Sequence, residues 1–278
     1  MRRVILALLA FAFAPSAFAE DLSWLTQPPH TNVPVVGGWA GVYLGGQISF
    51  SGASGDFANT TQGPIAFVLR ETALESAVAP SNWQVLGQAN HDAAGFGGFV
   101  GYNTQYERLV LGVEANYDQA NLSLNAPNTP ISRRTSAGGN TYDLTISGSG
   151  AVSDLNFGTL RARAGWALGN FLPYVFGGLA VGHSNIHIAG TASGIENPQN
   201  QPCTPTGAAT PACVPFSFTG TAGRNGEWMT GFTVGTGLDV ALTRNVFLRA
   251  EYEFVQFAPI SHLIVDVNSV RGGLAVKF

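Results

Sequence analysis

The chain has 278 residues, a length that suits one large domain or two modest ones. Charged residues make up only 11% and hydrophobic residues 45%, too little charge for an ordinary soluble domain at about 25% and too apolar for disorder. Lys277 is the sole lysine and no basic run occurs, which excludes a nucleic-acid partner, because phosphate binding needs clustered Lys and Arg.

Residues 1–19 have the layout of a cleaved secretory signal. Arg2 and Arg3 precede an apolar stretch from Val4 to Ala14, and Ala17-Phe18-Ala19 forms a small-x-small cleavage site. Residues 20–38 carry Pro28, Pro29 and Pro34 without periodicity and read as a periplasmic tether. From Trp39 onward no run of 18 apolar residues occurs, so no transmembrane helix is expected.

Period-two alternation appears instead, the mark of a strand with one apolar face. In Trp39–Phe50, Ala40, Val42, Leu44, Ile48 and Phe50 oppose Gly41, Tyr43, Gly45, Gln47 and Ser49. The pattern recurs in Leu109–Asp118, Gly158–Trp166, Thr230–Val240, Leu248–Phe254 and the last segment, where Val270, Leu274, Val276 and Phe278 oppose Arg271, Gly273 and Lys277. Gly95–Gln105 and Leu172–Gly182 are strand-like but less cleanly sorted. The tight links Tyr106–Arg108, Ala167–Asn170 and Leu242–Asn245 alternate with the long ones Ser51–Ala94, Ala120–Asn156, His187–Glu227 and Ala258–Asn268. Eight strands with short turns at one end and long loops at the other predict an all-β fold, an eight-stranded antiparallel up-and-down transmembrane β-barrel over residues 39–278.

The apolar face is assigned to lipid, because a lipid-facing Arg or Lys at mid-membrane costs about 2–4 kcal/mol and the pattern puts none there. Tyr117 and Phe254 fall toward the long-loop end, Trp166 and Phe278 toward the tight-turn end, where interfacial aromatics belong. The inward face then holds five acids, Glu114, Asp118, Asp239, Glu251 and Glu253, and five bases, Arg161, Arg163, Arg249, Arg271 and Lys277. Eight strands enclose a bore that side chains can fill. The balance of sign predicts pairing across that bore, and a plugged barrel in place of a charge-lined channel.

Cys203 and Cys213 lie ten apart in a stretch rich in Pro, Thr and Asn. In an exported chain they are expected to form a loop-closing disulfide. No Gly-x-Ser-x-Gly occurs and the histidines are scattered, so no catalytic site, cofactor or metal centre is expected. His183 and His187, with His262, are the candidates for a haem or small ligand at the outer rim. The closing alternation to Phe278 resembles the sorting signal that outer-membrane barrels present to their assembly machinery.

Several segments resemble one family: Trp39-Ala40-Gly41-Val42-Tyr43-Leu44-Gly45-Gly46-Gln47, Gly101-Tyr102-Asn103, Gly158-Thr159-Leu160-Arg161-Ala162-Arg163-Ala164-Gly165 and Leu172-Pro173-Tyr174-Val175-Phe176-Gly177-Gly178. They are similar to the small "porin family" outer-membrane barrels of Gram-negative alphaproteobacteria, relatives of the OmpA-type and opacity barrels. The resemblance implies an outer-membrane protein with a structural or surface-antigen role that displays extracellular loops. Haemin binding and small-solute passage are the alternatives. The implied partners are outer-membrane lipid and lipopolysaccharide, the barrel-assembly machinery, and host or surface ligands at the loops.

Overall fold

The protein is described by a computed structural model covering residues 38–197, 213–260 and 262–278. The segment 1–19 expected to be a signal peptide, the expected tether up to residue 37 and Cys203 lie outside the described residues. Nine strands occur among them: β1 (Gly41–Asp56), β2 (Gln88–Tyr106), β3 (Leu109–Asn125), β4 (Ile131–Ala137), β5 (Asn140–Trp166), β6 (Phe171–Asn197), β7 (Val214–Ala241), β8 (Val246–Phe257) and β9 (Ile264–Lys277). Two short helices, α1 (Gln62–Leu69) and α2 (Ala73–Val78), occupy the connection between β1 and β2.

Every neighbouring pair is antiparallel. The sheet runs β3-β2-β1-β9-β8-β7-β6-β5 and closes through pairing of β3 with β5. Eight strands therefore form a closed up-and-down barrel in which each transmembrane backbone group can pair within the sheet, as hydrocarbon requires. The ninth, β4, pairs with β5 beyond the point where β3 ends and lies outside the closed ring.

Within the barrel the alternation sorts as chemistry dictates. Val42, Leu44, Ile48 and Phe50 of β1, Leu160 of β5, Val175 and Leu179 of β6 and Val270 of β9 all project outward into an exposed apolar belt. On seven of the strands the belt closes on an apolar residue at its loop-side end. Phe50, Phe96, Tyr117, Val181, Trp228, Phe254 and Val270 close it toward the loops, and above them stand Gln119, Asn156, His183, Gln256 and Asn268. That gives about ten residues per strand, the span of a hydrocarbon core.

The strands continue well past this belt. β6 has 27 residues and β7 has 28. The part of β6 beyond Val181 extends roughly 50 Å at ~3.3 Å per residue. Much of what the sequence suggests as the long links 120–156 and 187–227 is thus strand. Above the belt the polarity inverts: Ile186, Ile188 and Ala192 of β6 point inward and are buried, while His187 points out and is exposed. On β5 the inward phase also shifts, from Leu144, Ile146 and Val152 to Leu155, Phe157, Thr159, Arg161 and Arg163. Bulges make the change. Register breaks fall at Asp118/Leu122, Ser153/Asn156 and Ser184/Ile186, with Asn121, Asp154 and Gly226 at positive φ, the single extra residue that re-aims a strand.

Candidate functional site

The lumen is built in three layers. The floor, at the turn end, is aromatic and aliphatic: Trp39, Tyr43, Phe99, Val110, Leu172, Tyr174, Phe176 and Phe247 form one buried cluster. Phe247 meets Trp39 edge-on at 6.0 Å and Tyr43 at 5.7 Å between ring centroids. Glycines on the inward face leave room for these rings. A Cβ at Gly237 would strike the Tyr174 ring at 2.5 Å.

The middle layer is ionic. β3 brings in Glu114 and Asp118, β5 Arg161 and Arg163, β7 Asp239, β8 Arg249, Glu251 and Glu253, and β9 Arg271. Their side chains are at most 2% exposed. Arg249 donates to Asp239 at 2.9 Å and Glu114 at 2.8 Å. Arg163 donates to Asp239 at 2.6 Å. Arg161 bridges Glu114, Glu251 and Glu253, and Arg271 bridges Asp118 and Glu253. Each guanidinium also lies on a ring: Arg161 4.1 Å from Phe176, Arg163 3.7 Å from Tyr174, Arg249 4.0 Å from Phe99 and Arg271 5.7 Å from Phe157.

Nine of the ten sequence-predicted interior residues thus meet. Lys277 does not: it sits at the turn end, where Nζ donates to the carbonyl of Gly38. The last inward position of β9 lies below the ionic layer and opens toward water, which is why the lysine stays apart. Five acids then face four arginines, and two phenols add donors. Tyr43 Oη donates to Glu114 at 2.6 Å and Tyr174 Oη to Glu251 at 2.5 Å. The tyrosines were the missed members. Their signal was legible, since Tyr43 is the one large side chain among Gly41, Gly45, Gln47 and Ser49 on the inward side of β1.

The top layer is apolar and fills the barrel beyond the membrane belt. Ala53, Leu122, Leu124, Leu144, Ile146, Val152, Leu155, Ile186, Ile188, Val265 and Val267 belong to it. α1 caps this core, burying Pro64, Ile65 and Leu69 against glycines of the wall. A Cβ at Gly190 would meet Ile65 at 2.6 Å, and one at Gly220 would strike the Pro64 carbonyl. The layers in series occlude the bore.

The other predicted residues fall apart from this core. His183 and His187 both project outward from β6 and are exposed, four strand positions apart, about 13 Å along the chain. The His183 ring stacks edge-on against Trp228 at 5.0 Å, and His262 lies in the β8–β9 turn with φ 68°. They do not converge on one point. Phe278 follows β9 and is 76% exposed, its N–H donating to the Val42 carbonyl at 2.9 Å. Cys213 immediately precedes β7. On the β4–β5 hairpin Arg134 donates to both Asp143 oxygens at 2.6 and 2.8 Å, and those bonds hold the Asp143 carboxyl below its ordinary range.

Residues 4–278 match the outer membrane protein beta-barrel domain family. The chain is 27% identical over 294 residues to the 31 kDa outer-membrane immunogenic protein of Brucella melitensis, with all of both chains covered. It is 22% identical to the 25 kDa outer-membrane immunogenic protein of Brucella ovis, covering 99% of this chain and 96% of that one. Among solved structures, Neisserial surface protein A is similar at 14% identity and a TM-score of 0.38, covering 86% of this chain and 98% of that one.

Proposed function

The chain belongs to the outer membrane protein beta-barrel family, and from that premise we propose that it is a sealed, non-catalytic barrel whose work is done by the sheet it raises above the outer membrane. The barrel anchors; the protruding strands β4, β5, β6 and β7 make contact with other surfaces. The observation that carries this reading is the inversion of polarity along single strands, lipid-facing below and water-facing above, on β6 and β7 of 27 and 28 residues. A protein that only stiffened a membrane has no use for strands more than twice the span that hydrocarbon requires. The filled lumen supports the same reading against solute passage, and the relatives named outer-membrane immunogenic proteins fit a chain displayed outside.

The test compares cells displaying the full chain with cells displaying a variant whose β6–β7 arm is cut back between Ile186 and Arg224. We expect equal amounts of heat-modifiable barrel and a several-fold loss of adherence to cultured cells or to glass. Equal adherence would overturn the proposal. A Soret shift on adding haemin, abolished by His183→Ala with His187→Ala, would replace it with a ligand-receptor reading. Cys203 and Cys213 are read as a loop-closing disulfide, tested by thiol labelling with and without reductant.

A further inference from the structure

On the inward face of the protruding sheet, α1 takes the lower positions, where Ile65 lies against Gly190 of β6 and Pro64 against Gly220 of β7. Above that seat three rings stand in a row. Tyr142 of β5 and Phe216 of β7 reach across β6 and meet edge-on, 6.2 Å between centroids. Gly194 of β6, paired with Phe216, has no side chain to part them. Phe218, the next inward position of β7, stacks on Phe216 at 5.7 Å with 28° between the ring planes. Tyr142 and Phe216 rest on the apolar core, whereas Phe218 is 43% exposed.

A polar group borders the row at its upper end. Glu196 of β6 is the direct cross-strand partner of Tyr142. Its Oε1 accepts from Tyr142 Oη at 3.0 Å and from Asn140 Nδ2 at 2.5 Å. Two neutral donors thus fix the carboxylate beside the rings without cancelling its charge. Exposed apolar surface next to a few oriented polar groups is the makeup of a ligand site. The fixed negative charge opposes phosphate, sulfate and other anions. The polar border does not suit a lipid chain, which offers nothing to a carboxylate or an amide and would strip water from both. A neutral sugar ring fits both halves. Its C–H face lies on a phenyl ring, whose own face is partly negative, and its hydroxyls donate to the carboxylate and accept from the amide.

We propose that Phe218, Phe216, Tyr142, Glu196 and Asn140 form a binding site for a neutral oligosaccharide. One sugar unit stacks on the open face of Phe218, and the chain follows the row of rings toward Glu196, where hydroxyls of a further unit are taken. The rings supply the contact area, and the carboxylate selects uncharged sugars over sulfated or acidic ones. This inference rests on the surface-contact reading above and names the chemistry of what is contacted.

The full chain, in micelles of a detergent without a sugar headgroup, is mixed in turn with linear tetrasaccharides of glucose, galactose and N-acetylglucosamine, and saturation transfer from protein to ligand is read by NMR. Transfer to the C–H protons of at least one of these sugars is expected, and a heparin tetrasaccharide should receive none. Phe218→Leu keeps apolar bulk but loses the ring, and should weaken binding roughly fivefold, while Phe218→Tyr should retain it. A residue needed only for packing would tolerate the leucine. Glu196→Gln should weaken binding about tenfold, the loss of a charge-assisted acceptor. These positions lie above the membrane belt, so the heat-modifiable band should not move. The proposal fails if none of the neutral sugars receives saturation, if heparin receives as much, or if Phe218→Leu and Glu196→Gln both bind as the unaltered chain does. Transfer to tetralysine in place of the sugars would also remove it, since rings and carboxylate would then serve a cation. A negative result here beside a positive adherence result leaves surface contact standing and removes the sugar.

Discussion

At the residue scale the decisive choice is to place ions where water is absent. A buried guanidinium or carboxylate costs several kcal/mol unless its partners surround it. The middle layer meets this condition by sharing: Glu114 receives Arg249, Arg161 and the Tyr43 hydroxyl, and Glu253 receives Arg161 and Thr233. Removing one member strands the others, so Arg249→Leu leaves Asp239 and Glu114 short of donors. It should destabilise the barrel by about 3–5 kcal/mol, seen as a lower temperature for conversion of the folded to the unfolded gel band. Lys277→Ala, outside the network, should shift that temperature by less than a quarter as much; equal shifts would show that the network is not what holds the barrel. Phe278 carries a different role. It is exposed beyond the last strand, so deleting it should lower the yield of assembled outer-membrane protein while the folded remainder keeps its conversion temperature; unchanged yield would refute an assembly signal.

At the element scale the protein joins a closed membrane barrel to a protruding sheet of opposite polarity. The membrane part was legible because Leu, Val and Phe alternate there with Arg, Glu and Gly, a contrast period two exposes plainly. The upper part was not. In Ile186–Ala192 the inward residues are still apolar, but the outward ones are His187, Ala189 and Thr191, and such small or mildly polar residues give no contrast between strand and loop. The bulges at Asn121, Asp154 and Gly226 add to this, because one extra residue moves the alternation out of phase. Nothing local in Gln62–Leu69 announced a plug; its role depends on Gly190 and Gly220, more than a hundred residues away, leaving a flat wall. The fit makes a test. In Gly220→Val the new side chain must displace the Pro64 carbonyl, which belongs to helix backbone and cannot yield by rotating. Exchange of the α1 amides should rise about tenfold or more, with the conversion temperature of the membrane barrel nearly unchanged. Slow exchange in the variant would mean that α1 is held by something other than its seat on β6 and β7.

On the scale of the whole molecule, the question is whether anything passes through it. A pore needs a continuous wet path, and the three layers stand in series along the axis. An aromatic floor with Tyr43 fully buried is followed by a salt-bridged belt at most 2% exposed and an apolar core capped by α1. Opening one layer leaves two, so loss of a single side chain does not make a channel, whereas a selectivity filter fails at its one ring. The full chain in planar bilayers should therefore give no stepwise conductance above the lipid background, even at high protein dose. Arg249→Ala should stay equally silent although its barrel is less stable. Discrete steps from the unaltered protein would overturn the sealed lumen. Steps from Arg249→Ala alone would show that the belt is the whole seal, and that floor and cap are ornaments on a latent pore.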